Sequence, residues 1–369
     1  MLPLSWLSMV GLLACDEATP TTNGGDERDT SAVDEDSASD AGVSGEDSAA
    51  PDTDDDRDTG DEEGDDTGEV IEDVAFRCPE GASSLTVDLS EASVMEIGGV
   101  PAAPNGGFLE GPVWVGDALV LSQLYFSGRP NDAQMLHYTD EDGFSVFLAD
   151  AGTNGIALDA AGRLVTANHK QTGIVRFELE SPSTPGAILV DRFDGAPFNS
   201  PNDLVIAEDG TVYFTDPDYQ CGGCSNQPVQ GVYRWSPDGS IARLANVTQN
   251  KPNGIALSPD GQTLYVGGQP QLTAHPIGAG GSVGAGRPFG NIYGTDGLGV
   301  DCAGNVYVTA GEGVVVLDSS GARLGSLSVS QATNVAFGGP DHQTLFITSF
   351  GDNRGKLHRV RLNIPGYPY

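Results

Sequence analysis

The alternation of apolar and polar positions repeats six times between residues 110 and 349. Each copy begins with Asn, Asp or Glu and continues with a short apolar run. A turn follows, with Asp and Gly in most copies, and then a second run of β-branched and aromatic residues. Two such runs across a turn predict a β-hairpin. The copies are EGPVWVGDALVLSQL from Glu110, NGIALDAAGRLVTAN from Asn154, NDLVIAEDGTVYFTD from Asn202, NGIALSPDGQTLYVGG from Asn253, DGLGVDCAGNVYVTA from Asp296 and NVAFGGPDHQTLFITS from Asn334.

The spacing of these copies predicts the fold. They begin 44, 48, 51, 43 and 38 residues apart, which leaves room in each repeat for two further strands. A four-stranded unit that recurs every 40–50 residues or so is typical of a β-propeller blade. We therefore predict an all-β, six-bladed β-propeller over residues 76–369, with a β-sandwich of short strands as the alternative. GKLHRVRL, residues 355–362, is expected to supply a late strand that closes the ring.

The first residue of each copy carries the candidate chemistry. The innermost strands of a propeller line its central channel, so equivalent positions should lie at the same depth. Two carboxylates and four carboxamides without Lys or Arg suit calcium, or another divalent cation, although magnesium demands a tighter geometry. The alternative is a set of polar residues that only caps strand ends and turns. The six positions are Glu110, Asn154, Asn202, Asn253, Asp296 and Asn334.

Charge divides the chain into two parts. The 369 residues include 53 Asp and Glu against 17 Lys and Arg, a net charge of −36. Residues 16–75 hold 24 of the acidic residues and two of the basic ones, with almost no aromatic residues. Such a segment buries too little apolar surface to fold, so we predict a disordered linker there. The acidic remainder has no basic cluster, which argues against nucleic acid or an anionic membrane surface as a partner.

The N-terminal residues indicate where the protein is located. MLPLSWLSMVGLLAC, residues 1–15, is too short for a membrane-spanning helix but suits the apolar region of an export signal. Its LLAC ending resembles the lipobox of bacterial lipoproteins, in which the Cys, here Cys15, becomes lipidated. We expect an exported lipoprotein on the periplasmic or cell-surface side, attached to the membrane only through this lipid. An ordinary cleaved signal and a chance apolar N-terminus are the alternatives.

Four further cysteines remain. Cys221 and Cys224 are separated by two glycines, and a local disulfide is the expected state of such a pair in an exported chain. Cys78 and Cys302 are left over and could pair, although their spacing does not establish it.

Six strings occur in order over residues 95–365: LEGPVW, NSPNDLVI, GVYR, PNGIALSPDGQTLYV, TDGLGVD and TNVAFGGPDHQTLFITS. Together they resemble the gluconolactonase/regucalcin (senescence marker protein) family. That resemblance implies a calcium-dependent hydrolase of lactones or related esters, with Glu110, Asn253 and Asp296 as metal ligands. Asn202 is implied as a ligand or a substrate contact. The basic residue that the regucalcin branch has just before its ND pair is absent, and Ser200 lies two residues before Asn202.

The resemblance also implies a mechanism. Calcium would polarise the lactone carbonyl, with Asp296 as general base for a water or as direct nucleophile. His169 ends the second hairpin, where family members often carry a pocket-facing His; a surface-turn histidine is the alternative. Tyr219 and the 221–224 loop follow an inner strand and could shape the pocket mouth.

We expect a monomer that acts on a small-molecule lactone or ester. The alternative functions are a non-catalytic binding propeller with a structural calcium, and a metal-free propeller similar to strictosidine synthase.

Overall fold

The computed structural model describes residues 78–100, 107–125 and 133–367 of the chain. The predicted signal sequence with Cys15, and the predicted linker over residues 16–75, lie outside these ranges. Helical structure in the described part amounts to two short 3₁₀ turns, Ala82–Ser84 and Ala279–Gly281. None of the described helices has the length and apolar character needed to cross a membrane.

Six antiparallel sheets of four strands form the blades, which confirms the predicted all-β, six-bladed propeller. The first strand, β1 (Met95–Gly99), belongs to blade 6. Blade 1 consists of β2 (Gly107–Val115), β3 (Ala118–Tyr125), β4 (Ala133–Thr139) and β5 (Gly143–Leu148). Blade 2 consists of β6 (Thr153–Leu158), β7 (Leu164–Asn168), β8 (Gly173–Phe177) and β9 (Ala187–Val190), and a two-stranded ribbon of β10 (Arg192–Phe193) and β11 (Ala196–Pro197) follows it. Blade 3 consists of β12 (Leu204–Ile206), β13 (Val212–Asp216), β14 (Gly231–Trp235) and β15 (Ile241–Arg243). Blades 4 to 6 are β16 (Ile255–Leu257), β17 (Thr263–Val266), β18 (Gln271–Pro276) and β19 (Arg287–Tyr293); β20 (Leu298–Val300), β21 (Val306–Ala310), β22 (Gly313–Leu317) and β23 (Arg323–Leu327); and β24 (Ala332–Gly338), β25 (Thr344–Gly351) and β26 (Arg354–Arg361) with β1.

The hydrophobic core lies between the blades. Each of six apolar clusters draws its side chains from two neighbouring blades, so every blade is covered on both faces by its neighbours. Strand β22, of sequence GVVVL, is buried along its whole length for this reason. Runs of Val, Leu and Ile are what such double-sided burial requires, whereas a strand with one wet face would alternate with polar residues.

Hydrogen bonds between neighbouring blades complete the ring around the hub. The hydroxyl of Thr333 in blade 6 donates to the carbonyl of Leu109 in blade 1, at 2.7 Å, and so joins the last blade to the first. The equivalent contacts between the other neighbours are Ser122 Oγ to Asn154 O, 2.7 Å; Gly155 N to Asn202 O, 2.8 Å; Ile255 N to Asp203 Oδ2, 3.4 Å; Gly254 N to Asp296 O, 3.0 Å; and Gly297 N to Thr333 O, 2.8 Å.

Strands from both ends of the propeller close the ring. The predicted late strand forms as β26, the third strand of blade 6. The outermost strand of that blade is β1, which pairs antiparallel with β26. The chain therefore enters blade 6, builds the other five blades and returns, so both ends of the propeller share one sheet.

A candidate metal and active site at the hub

The predicted site residues lie at the entrances to the innermost strands. Glu110 lies within β2 and Asn334 within β24. Asn202, Asn253 and Asp296 each stand two residues before the inner strand of their blade. Because these strands run side by side around the hub, the equivalent residues approach one another from different blades.

Glycines directly after the site residues allow this close approach. A Cβ added to Gly254 would lie 2.1 Å from the carbonyl oxygen of Asp296, and one added to Gly297 would lie 2.1 Å from Asn334 Oδ1. Neither position has room for a side chain, since its neighbour belongs to the next blade around the ring. The recurring N-G and D-G pairs of the repeats are therefore a packing requirement of the hub as well as turn residues.

The Asn334 side chain acts on carboxylates of two other blades. Its Nδ2 donates to Glu110 Oε2 of blade 1 at 3.3 Å, and its Oδ1 accepts from the backbone N–H of Val335 at 2.8 Å. The same amide also lowers the pKa of Asp203 in blade 3, although burial outweighs it.

The other half of the hub is organised around Asp296. The Asn253 side chain lowers the pKa of the Asp296 carboxylate, although burial outweighs it, and the charge of Asp296 raises the pKa of Glu110. Asn253 also lowers the pKa of Tyr219 from blade 3. Glu110, Asn253 and Asp296, for which the family resemblance implies metal ligation, thus act on one another electrostatically at the hub.

Burial dominates the electrostatics of the three hub carboxylates. It raises the pKa of Asp203 to about 7 and the pKa of Asp296 to about 7. Burial, followed by the charges of Asp296 and Asp203, holds the pKa of Glu110 well above its usual range. The influences that lower these pKa values come from amide hydrogen-bond donors, and no Lys, Arg or His of the described chain is among them. Such an unbalanced buried group is what a bound cation would stabilise.

The available donors are mixed carboxylates and carboxamides. Within the described ranges, no three or more His, Cys, Asp and Glu side chains are grouped so that they could hold a metal ion by themselves. A site at this hub must therefore use carboxamide oxygens such as that of Asn253. Oxygen donors without sulfur or imidazole match the preference of calcium, so the residues fit the ion that the sequence suggested.

Asn154 and Asn202 connect neighbouring blades through their backbone groups. Both are buried, and their backbone carbonyls accept the hydrogen bonds that join blade 1 to blade 2 and blade 2 to blade 3. Asn202 also donates its N–H to Thr215 O at 2.9 Å. The Oδ1 of Asp203 accepts from the backbone N–H of Leu204 at 2.9 Å. Its charge also acts on Glu110, so it belongs to the hub as a third carboxylate.

A buried aspartate fixes the segment that carries Asn202. Asp216 is fully buried and accepts from the backbone N–H groups of Asn199 and Ser200, each at 2.9 Å, and from Asn199 Nδ2 at 3.2 Å. Burial outweighs these donors and raises the pKa of Asp216 to about 7. Ser200 is held within this network, and its hydroxyl donates to Pro217 O at 3.0 Å.

His169 is a buried residue, so the surface-turn alternative is wrong. It follows β7 and is only 2% exposed. Within the described part of the chain, neither ring nitrogen has a hydrogen-bond partner. Burial lowers the pKa of His169 to about 4, so the ring is neutral at physiological pH. A neutral imidazole offers one donor and one acceptor, and the predicted contact with substrate remains a prediction.

Tyr219 and the cysteine loop follow β13, the second strand of blade 3 rather than its inner strand. Cys221 and Cys224 form a disulfide, and Cys78 and Cys302 form another across a sequence separation of 224. Sequence reasoning did not find that Lys251, in the loop before Asn253, reaches Tyr219 and Asp218. No sequence signal pairs these residues, because they come from loops of different blades.

Several known proteins are similar to this chain in sequence or in fold. A family model described as the SMP-30/Gluconolactonase/LRE-like region matches residues 108–351. A gluconolactonase of Zymomonas mobilis is 30% identical over 276 residues, which span 65% of this chain and 75% of that protein. A pentonolactonase of Haloferax volcanii is 29% identical over 295 residues, 70% of this chain and 92% of that protein. The solved structure of a gluconolactonase from Xanthomonas campestris is 31% identical, with a TM-score of 0.62, and covers 78% of this chain and 94% of that one.

Proposed function

Because the chain belongs to the SMP-30/gluconolactonase/LRE-like family, we propose that it is a metal-dependent hydrolase of lactones or related esters. The observation that carries the proposal is the hub itself, where the carboxylates of Glu110, Asp203 and Asp296 are buried beside carboxamides, with no cationic side chain of the described residues acting on them. The relatives named gluconolactonase and pentonolactonase support lactones as the substrate class.

Glu110, Asn253 and Asp296, with Asn202, would hold the ion, and calcium is the expected ion because every donor is an oxygen. When bound, the cation supplies the positive charge that polarises the lactone carbonyl and offsets the negative charge that develops on its oxygen. Asn334 would orient Glu110 through its hydrogen bond of 3.3 Å. Asp216 would keep the Asn202 segment in place through its bonds to Asn199 and Ser200.

Asp296 is proposed to handle the proton of the reaction. As general base it takes a proton from water while the water oxygen bonds to the acyl carbon. The ring C–O bond then breaks, and the same proton passes to the leaving ring oxygen, which becomes the hydroxyl group of the hydroxy acid. Direct attack by the Asp296 carboxylate is the alternative. Asn202 and the neutral His169 are proposed to hydrogen-bond to the substrate during these steps.

We further propose that the protein is an exported lipoprotein anchored through Cys15. The two disulfides of the propeller support this, because such bonds persist in oxidising compartments and are rare in the cytosol. The acidic segment over residues 16–75 would then extend by self-repulsion and hold the propeller away from the membrane. The active unit is proposed to be a monomer.

Hydrolysis of a lactone panel by the full chain, with and without chelator, tests the proposed activity. We expect turnover of aldonolactones that falls at least about 100-fold on chelation, and that calcium restores better than magnesium. Turnover that ignores the chelator would contradict the metal dependence. A calcium-loaded protein that cleaves no lactone or ester would instead support the binding propeller with a structural ion.

A further inference from the structure

An ion pair between the loop after β13 of blade 3 and the loop before β16 of blade 4 has no part in the reaction proposed above. Lys251 Nζ lies 2.9 Å from Asp218 Oδ1 and 5.1 Å from the centroid of the Tyr219 ring. The side chain of Lys251 is 35% exposed and that of Asp218 is 15% exposed. Solvent, and therefore a ligand, can reach both charges although they are partly enclosed.

The backbone around Lys251 is held in a demanding conformation. Lys251 has a φ of 49°, in the left-handed region that residues with a side chain rarely adopt. Its neighbour Asn250 exchanges two backbone hydrogen bonds with Gln269, of 2.9 and 2.8 Å. The Tyr219 hydroxyl donates to the carbonyl of Lys251 at 3.4 Å. These contacts from blades 3 and 4 fix the base of the lysine side chain, so its ammonium group is aimed rather than free.

Asp218 is held from the other side by the cysteine loop. The N–H of Gly223 donates to the Asp218 carbonyl at 3.4 Å, and the sulfur of Cys221 lies 3.5 Å from the same oxygen. The Cys221–Cys224 disulfide closes this loop directly after Tyr219 and Gln220. The disulfide therefore has a local purpose here, since it limits how far Asp218 can move from Lys251.

Tyr219 connects this pair to the hub. Its hydroxyl donates to the carbonyl of Lys251 at 3.4 Å, two residues before Asn253, and the next residue, Gly254, donates its N–H to Asp296 O at 3.0 Å. The charge of Asp296 adds to burial in raising the pKa of Tyr219. A ligand whose reacting carbonyl lies beside Asp296 would thus have its outer atoms near Tyr219, Lys251 and Asp218. The aromatic face also offers an apolar surface for the C–H groups of a ring.

We propose that Asp218, Tyr219 and Lys251 form a subsite that recognises the hydroxyl groups of a neutral, polyhydroxylated lactone. The subsite rests on the proposed function, because it names the substrate class of that hydrolase. The ion pair is neutral as a unit and offers strong donors and a strong acceptor side by side, which matches neighbouring hydroxyls that each donate and accept. An anionic lactone would meet the Asp218 carboxylate beside the Lys251 ammonium group, so the pair offers it no net electrostatic attraction.

Kinetics on two lactones test the subsite. Glucono-δ-lactone carries ring hydroxyls, whereas δ-valerolactone has the same ring size without them. In the full-length, calcium-loaded protein, Lys251→Met keeps the aliphatic stem and removes the charge. We expect Lys251→Met and Asp218→Asn each to raise KM for glucono-δ-lactone about 10-fold or more with kcat changed less than about 3-fold. KM for δ-valerolactone is expected to stay within about 2-fold of the wild type, since it offers the pair no hydroxyl.

Arg163 and Asp159 provide the matched control. They form an ion pair of 2.8 Å with side chains 34% and 17% exposed, at the turn between β6 and β7 and thus at the other end of blade 2. Arg163→Met is expected to change neither KM. Equal effects of Lys251→Met on both lactones, a fall in kcat of similar size, or no effect at all would each overturn the subsite. A wild-type protein that hydrolyses neither lactone would overturn the proposed function itself, and the subsite with it.

Discussion

Asp296→Asn lowers kcat/KM for lactone hydrolysis about 1000-fold and leaves the propeller folded. The substitution keeps the size of the side chain and one oxygen, but removes the negative charge and the basic site for a proton. The backbone at this position is held by the bond from Gly254 N to Asp296 O at 3.0 Å, which the substitution does not touch. Stability should hold or rise, because a buried charge that faces Glu110 is removed. Steady-state kinetics and chemical denaturation of the variant measure both effects.

Asp301→Asn is the control, with the opposite pattern expected. Asp301 is fully buried just after β20, at the far end of the strand that follows Asp296. Its Oδ2 accepts from Asn305 Nδ2 at 2.8 Å and from the Tyr307 hydroxyl at 2.9 Å. Losing this acceptor should cost about 1–3 kcal/mol of stability and leave kcat/KM near the wild-type value. Equal losses of activity in the two variants would show that Asp296 acts only through the fold.

Removing the Cys78–Cys302 disulfide destabilises the propeller by about 5 kcal/mol in the chain-entropy account. The bond spans 224 residues of sequence, so it restricts the unfolded chain strongly. It also lies in the segment that leads to β1, where Val87 and Leu89 pack on the cluster between blades 5 and 6. Replacing both cysteines with Ser should therefore lower the midpoint of denaturant unfolding. The slope should rise, because the unfolded chain becomes less compact without the bond, and the hydrolytic rate at about 25 °C should persist.

The second disulfide supplies the comparison for that experiment. Cys221 and Cys224 are separated by three positions, so their bond removes far less entropy from the unfolded chain. Their double Ser variant is expected to unfold at nearly the wild-type midpoint. If the two double variants lose the same stability, the length of the chain that each bond encloses does not set its contribution to stability.

The blades could be predicted from the sequence because their signals are local. Each hairpin of an inner strand and its neighbour lies within one copy of about 15 residues. The alternation of apolar residues and the turn residues that specify the hairpin lie within the same copy. Six such copies also placed Glu110, Asn253 and Asp296 at equivalent positions, before their contacts were known. Residues at equivalent positions of the repeats lie at the same depth around the central channel, and this is why the hub residues could be predicted from the sequence.

Contacts between distant segments could not be found in this way. The pairing of β1 with β26 joins residues that are far apart in sequence, and nothing in either strand names its partner. The same holds for Cys78 with Cys302 and for Lys251 with Asp218. Asp203 stands second in its copy, where four of the other five copies have Gly, and its side chain fills the space that Gly155 leaves in the neighbouring blade. Nothing in its own copy indicates this contact.

Calorimetric titration of the chelator-stripped full chain with calcium tests the central claim most directly. The account predicts one ion bound per chain, at a site that Glu110→Gln and Asn253→Ala each weaken at least about 10-fold. Glu312→Gln, a change to an exposed glutamate paired with Arg323 on blade 5, should leave the affinity unaltered. Absence of calcium binding, or binding that is indifferent to Glu110 and Asn253, would contradict a cation at the hub.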